Sequence, residues 1–410
     1  MKRTLSLIMM LCLSLTCLSF ALAEGEGVEL SFTRIGTDPA EREYWDWNIA
    51  EFEAANPGIT VAYDDVAIGD SIDNKLNLLF SAGDGPDIIG HGILSVAQRV
   101  EMGHYLPIDE YFETWSGMDD IMASVLANGT YNGHVYGLGY STTPYVFAYR
   151  ADLLKEAGYE VPQTWDELAE IARALTVKDE NGEVTFSGFC FPSTGGNLVE
   201  LDVFVYGNGG SYIAEDGSPL MTGAEKEEAI AFLMDLLPDV NMPYSNGETN
   251  PFAKGLAAMT LINNAALTSV INNPEFEGEI GLAVPPHKAS AGTFCGCNML
   301  FIGRDCVDKD AAWKYIEFTM TPESTLKRSE IVNIPVTFES LVDEYQAMDP
   351  WNAVRAECVA VGTGMPRTLW STQFQKVRNE LVQNVVLGNV TDPAQALETS
   401  QQALLDEIDE

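Results

Sequence analysis

Two pairs of neighbouring carboxylates, Asp64-Asp65 and Asp119-Asp120, are the first place to look for chemistry. Cleavage of a glycosidic bond needs two carboxyl groups flanking it, one with a raised pKa. Neighbours on a strand point to opposite faces, so neither pair makes such a dyad by itself. A serine hydrolase would show Gly-x-Ser-x-Gly, a zinc peptidase His-Glu-x-x-His and a nucleotide-binding protein a phosphate loop, and the sequence contains none of them. Cys295-Gly-Cys297, with Cys190, Cys306 and Cys358, lacks both Cys-x-x-Cys spacing and nearby histidines, and four histidines are too few to complete a zinc site. These residues call for no metal, no cofactor and no catalytic role. The thiols read as free and buried, or joined in one or two disulfides if the chain is exported.

Charge narrows the partners. Lys plus Arg number 22 and Asp plus Glu 61, a net charge of −39, which repels phosphodiester backbones and anionic membranes. Nucleic acid is excluded on that ground. An acidic surface serves solubility, and it can also hold a cationic substrate. With 410 residues, 46% of them apolar and 20% charged, the composition is that of a folded protein long enough for two cores.

Lys2 and Arg3 precede an apolar run that ends in Ala21-Leu22-Ala23 before Glu24-Gly25-Glu26. This is the pattern of a secretory signal peptide over 1–23, cleaved after Ala23, and it predicts an exported, periplasmic or cell-surface protein. The alternative, lipidation at Cys17, would leave further apolar residues after the modified cysteine.

The elements that must position any site follow from periodicity. Leu30 and Phe32 alternate as a strand, and Tyr44, Trp47, Phe52 and Ala55 recur near helical spacing until Asn56-Pro57-Gly58. Ile59, Val61 and Tyr63 form a second strand, Ile72, Leu76, Leu79 and Phe80 a second helix, and Asp87-Ile88-Ile89 a short buried strand after Gly83-Asp84-Gly85-Pro86. This β-α-β-α-β order predicts a mostly parallel sheet between helices, with ligands beyond the carboxyl ends of its strands. Val135 to Tyr149 reads as an extended stretch passing from one lobe to another. Thr164-Trp165-Asp166-Glu167 is a capping box opening a helix striped by Leu168, Ile171, Ala172 and Leu175. Helices are expected over 225–237 and 311–320, strands over 257–262 and 280–284, and two tail helices split at 388–393. Trp45, Trp47, Trp165 and Trp313 sit on helical stripes and read as core. With no fixed-period repeat and no long linker, the two lobes are expected to be joined by short crossings.

Six segments carry a resemblance: IAEFEAANPGITV at 49–61, GDGPDII at 83–89, TYNGHVYGL at 130–138, PQTWDEL at 162–168, KGLAAMT at 254–260 and AAWKYIEF at 311–318. In order and spacing they resemble the extracellular solute-binding protein family 1, the maltose-binding-protein-like carriers of ABC importers. The resemblance implies an α/β, two-lobed periplasmic-binding-protein fold of type II, each lobe a sheet flanked by helices and hinged around a central cleft. The implied lobes are 24–139 plus 265–333 and 140–264 plus 334–410. It also implies cleft positions: Thr37, Asp38 and Glu43 after the first strand, His91 after the third, Tyr140, Thr142 and Thr143 at one crossover, and Asn263 and Asn264 at another.

Each of these residues has a structural alternative. Asp38 also reads as a helix cap, Tyr140 as a core residue at the crossing, and Thr142 and Thr143 as partners of local backbone groups. Maltose-binding relatives place tryptophans where this chain has His91 and Ala265, so the resemblance does not extend to maltodextrin specificity. Phe294, Trp351, Trp370 and Phe374 are the candidate aromatic platforms for sugar faces. The expected protein is a monomeric carrier of a mono- or oligosaccharide that delivers its ligand to a membrane permease. A carrier of a cationic amine or peptide is the alternative, ahead of a secreted glycoside hydrolase. Paired adjacent tyrosines of the kind iron carriers present are absent from the sequence.

Overall fold

The computed structural model describes residues 27–409 apart from 68–69, 247, 264–266, 268–269 and 271–278. The expected signal peptide and Asn264 lie outside the described residues. The chain opens as expected, with β1 (Val28–Ile35), α1 (Pro39–Ala55), β2 (Ile59–Val66), α2 (Asp70–Ala82) and β3 (Ile88–Gly92). Helix α1 starts where Asp38 accepts hydrogen bonds from the Ala40 and Glu41 amides and Pro39 supplies a preset φ. It buries Tyr44, Trp45, Asn48 and Phe52 against the sheet, where Phe32 meets Trp45 edge-on at 5.0 Å.

The extended stretch expected to cross between lobes is two strands, β4 (Gly137–Pro144) and β5 (Val146–Arg150), separated by Tyr145 alone. Later come α3 (Trp165–Leu175), α4 (Glu200–Gly207), α5 (Ala224–Val240), β6 (Met259–Ile262), β7 (Ile280–Ala283) and β8 (Thr293–Ile302). Two further helices, α6 (Lys309–Thr319) and α7 (Pro322–Val332), precede the tail helices α8 (Ser371–Val386) and α9 (Pro393–Asp409). The first sheet runs β8-β3-β1-β2, with β1 parallel to both β2 and β3, β8 antiparallel to β3, and β4 and the short strand Gly362–Thr363 also paired to β8. The second sheet is antiparallel, in the order β6-β5-β7. These are the two lobes.

The expected boundaries differ from this topology at two places. β4, which the expected boundaries divide before Tyr140, pairs along its length with β8 of the first sheet. β7, expected within the N-terminal lobe, pairs with β5 of the second sheet. Segment periodicity locates strands but carries no information about which distant strand each will pair with.

The second lobe packs α3, α4 and α5 around Trp165, Phe204 and Phe232, with Trp165 stacked on Phe232 at 5.0 Å. The capping box at the start of α3 is formed: the Thr164 hydroxyl accepts from the Glu167 amide, and the Glu167 carboxylate accepts from the Thr164 amide at 3.1 Å. No helix among the described residues is long and apolar enough to cross a membrane. Cys190, Cys295, Cys297 and Cys358 are buried free thiols and Cys306 is a half-buried one.

Candidate functional site

Where β1 and β3 end, Ile35, His91 and Gly92 open onto a cleft of about 640 Å³, the position open α/β sheets give their ligands. β8 supplies its next wall through alternation: Phe294, Gly296 and Asn298 share one face and all line the cleft. The opposite wall comes from the second lobe, through Asn197, Val199, Asn246 and Asn263 with Thr372 and Gln375 of α8. The crossover residue Tyr145 sits between the walls. Its amide donates to the Phe294 carbonyl at 2.8 Å, its carbonyl accepts from the Thr293 hydroxyl at 2.8 Å, and its ring meets Phe294 edge-on at 5.9 Å. Burial drives the Tyr145 phenol far above its ordinary range, and its side chain bonds that of Asn263.

His91 has a defined tautomer. Nδ1 accepts from the Gly92 amide at 2.8 Å, which leaves the proton on Nε2, directed at Asp73 Oδ1 3.5 Å away. Nε2 is itself buried at the edge of the cleft, beside the Asp73 carboxylate. Asp73 is anchored by buried Arg99 at 2.5 Å. Burial would raise its pKa, yet His91 and Arg99 together hold the carboxyl down at about 2.

The Asn197 loop is strapped from behind. Arg378 donates to the Asn197 carboxamide and to the Asp202 carboxylate, forming with Asp202 a fully buried ion pair. Asn379 binds the Gly196 carbonyl at 2.7 Å and the Leu198 amide at 3.1 Å, and Asn246 binds the Asn197 carbonyl at 3.1 Å. The loop conformation is thus fixed by α8.

Of the expected cleft residues, the structure brings together His91, Thr143, Asn263 and Phe294. The others stand elsewhere. Thr37, Asp38 and Glu43 are exposed outside the cleft lining, because Asp38 is spent on capping α1 and Glu43 rides its outer face. Thr142 points away from Thr143, as strand alternation requires. Tyr140 lies at a bulge, opposite the step from Asn298 to Met299, and its ring stacks under the Arg328 guanidinium at 4.1 Å in the core. Trp370 and Phe374 pack against each other at 6.1 Å, and Phe374 faces Tyr212 at 4.7 Å, so both are core rather than platforms. Trp351 packs on the smaller buried cluster around Val146 and Cys358.

Sequence reasoning missed Asp73, Tyr145, Asn197, Asn246, Asn298 and Gln375. Only Asn298 left a signal, its spacing of two from Gly296 and four from Phe294. The paired carboxylates stay outside the cleft: Asp64 binds Lys75, Asp65 binds Arg42 and Asp120 caps Ser340. Among the described residues, no group of three or more His, Cys, Asp and Glu is placed to hold a metal.

A profile of the bacterial extracellular solute-binding protein family matches residues 47–353. The maltotriose-binding protein of Pyrococcus abyssi is 24% identical over 330 residues, covering 76% of this chain and 67% of that protein. Among solved structures, the cyclic alpha-maltosyl-1,6-maltose binding protein of Arthrobacter globiformis superposes with a TM-score of 0.79 at 18% identity, covering 92% of this chain and 98% of that one. A solute-binding protein of Thermotoga lettingae bound with alpha-D-tagatose gives 0.75 at 23% identity, over 92% and 98%. With two sheets joined through Tyr145, a cleft between them and a family profile spanning most of its length, this chain belongs to the bacterial extracellular solute-binding proteins.

Proposed function

We propose that this protein is the extracytoplasmic substrate-binding subunit of an ABC importer and that its ligand is a mono- or oligosaccharide. The cleft lining carries the reading. Thr143, Asn197, Asn246, Asn263, Asn298 and Gln375 offer neutral donors and acceptors beside the Phe294 and Tyr145 rings. A sugar presents the matching surface, with hydroxyl edges that both give and accept hydrogen bonds and apolar ring faces that pack on aromatics. Several relatives and structural neighbours are named for maltotriose, tagatose or cyclic maltosyl-maltose, which supports the same class.

The mechanism is capture without chemistry. His91 and Asn298 on one wall and Asn197 and Gln375 on the other reach the ligand together only when the walls approach, so ligand affinity is greater for the closed form and shifts the population toward it. A micromolar dissociation constant corresponds to about −8 kcal/mol, within reach of several hydrogen bonds and one packed ring after closure costs. The closed carrier then presents its ligand to a membrane permease. The lobes divide at Tyr145 and again between 283 and 293, residues 1–23 are removed on export, and the carrier works as a monomer. A thermal-shift screen of the mature protein over a sugar library tests this: a specific sugar at about 100 times its dissociation constant stabilises the fold by about 2.7 kcal/mol. No shift with any sugar contradicts the reading.

The second reading is a cationic amine, favoured by Asp73 and by the absence of lysine and arginine from the cleft lining among the described residues. Asp73 is already paired with Arg99, which leaves it a weaker anchor than a free carboxylate.

A further inference from the structure

Beside the main cleft lies a side cavity of about 230 Å³ whose lining shares Tyr145, Asn246 and Asn263 with that of the cleft. Its wall carries Glu200, the first residue of α4, which is 3% exposed and has Oε2 without a hydrogen-bond partner among the described residues. Tyr244 and Asn250 stand beside it, joined by a bond of 3.1 Å from the Asn250 amide to the Tyr244 hydroxyl, and Leu261 and Ile262 form an apolar floor. We infer that this side cavity is a second subsite, that it takes an uncharged terminal sugar ring, and that Glu200 determines specificity there by bonding a ring hydroxyl. The inference rests on the carbohydrate reading and extends it: the ligand is at least a disaccharide, one ring in the main cleft and one in the side cavity.

Three observations carry this. A volume below the ~300 Å³ at which complete small-molecule sites begin suits a single ring, and the three shared residues make the side cavity the immediate neighbour of the cleft. A buried oxygen without a partner is costly, and a ligand hydroxyl is a group that relieves it. Among the described residues the lining holds no lysine, arginine or histidine, so a sugar acid would meet the carboxyl groups of Glu200 and Glu248 with no counter-ion in that lining.

The protonation of Glu200 agrees. Burial raises its pKa to about 8 despite a hydrogen bond from its own backbone amide, the attraction of Arg378 and a hydrogen bond with the Tyr145 side chain, so near neutral pH the group is mostly a carboxylic acid, able to donate and accept as a sugar hydroxyl does. The charged and titratable groups facing it are Arg378 of α8, Asp202 on its own helix, Tyr145, Tyr244, Cys190 and Glu248. Burial pushes both tyrosines well above their ordinary range and Cys190 to about 12, so none of these three ionises where Glu200 does.

The test is calorimetric titration of the mature wild type, Glu200→Ala and Glu200→Gln. The probes are neutral mono- and disaccharides of glucose, mannose and galactose, with glucosamine and glucuronic acid as charged controls. Circular dichroism checks that each variant is folded. The expected result is a disaccharide that binds the wild type about tenfold or more tighter than its monosaccharide, an advantage Glu200→Ala loses and Glu200→Gln keeps to within about threefold. Wild-type disaccharide affinity falls between about pH 6 and about pH 9, and that of Glu200→Gln stays flat. Disaccharide affinity untouched by Glu200→Ala, or the same pH profile in Glu200→Gln, overturns the subsite while leaving the carbohydrate reading standing. Glucosamine binding that strengthens with pH and vanishes in Glu200→Gln overturns the hydroxyl assignment in favour of an ammonium group. Absence of saccharide binding by the wild type overturns the carbohydrate reading and the subsite with it.

Discussion

Glu200 and Arg378 illustrate how single residues in this protein trade stability for a site. Arg378 and Asp202 neutralise each other in full burial, and through its second amino group Arg378 also holds the Asn197 side chain at the cleft. Glu200, two residues before Asp202 on α4, has its pKa raised from 4.5 to about 8, chiefly by burial. A folded state that binds a proton more tightly than the unfolded chain gains from it below the unfolded pKa and loses that gain as pH rises through the folded one. Stability is therefore expected to be greatest in mild acid and to fall from about pH 4.5 through about pH 8, a tenfold difference in proton affinity between the two states being worth about 1.4 kcal/mol. Urea unfolding at a series of pH values checks this. Glu200→Gln should flatten the slope over that interval, and an unchanged slope would show that Glu200 is not its source.

At the scale of elements, β4 and β8 decide which side chains face the cleft. Thr143 faces Gly296 across the ladder and lines the cleft, and Thr142 faces Cys297 and is buried with its hydroxyl unpartnered among the described residues. Thr143→Val is expected to weaken ligand binding severalfold with little effect on stability. Thr142→Val removes a buried unsatisfied hydroxyl, so it should leave binding intact and raise stability by up to about 1 kcal/mol. Titration and denaturation of the two variants separate the faces, and equal effects on binding would contradict the strand geometry. Thr164→Ala breaks the capping box of α3, and unfolding measurements should show a loss of about 1 kcal/mol with ligand affinity unchanged.

How legible this was depends on range. The alternation of Leu30 and Phe32, the stripe of α3, its cap and the break between α8 and α9 are local, and the sequence displays them. Even the core role of Phe374 was present in its spacing of three from Val377. The bulge at Tyr140 was not legible, because it arises from the register between β4 and β8, strands far apart in the chain. Asn197, Asn246 and Asp73 escaped for the same reason. Each owes its place to a distant partner, Arg378, the 194–197 loop and Arg99 respectively; Asn197 and Asn246 stand in irregular segments without periodicity, and Asp73 on α2 reads like any polar residue of a helix face.

As a whole, the molecule is two sheets whose nearest covalent link is one residue, Tyr145, strapped to β8 by one hydrogen bond its amide donates, one its carbonyl accepts and its ring contact with Phe294. Such a joint lets two well-packed bodies rotate while their cores stay intact, since packed interiors resist continuous deformation and hinges absorb the change at a few residues. A net charge of −39 spread over the chain keeps it soluble and discourages polyanions, and the cleft lining offers neutral hydrogen-bonding groups in place of that charge. The central claim is that a sugar is gripped between these walls and drives them together. Small-angle scattering of the mature protein, measured alone and saturated with the sugar that most raises its melting temperature, tests it most directly. A smaller radius of gyration in the complex is the expected result, and an identical radius at saturation would contradict closure on the ligand.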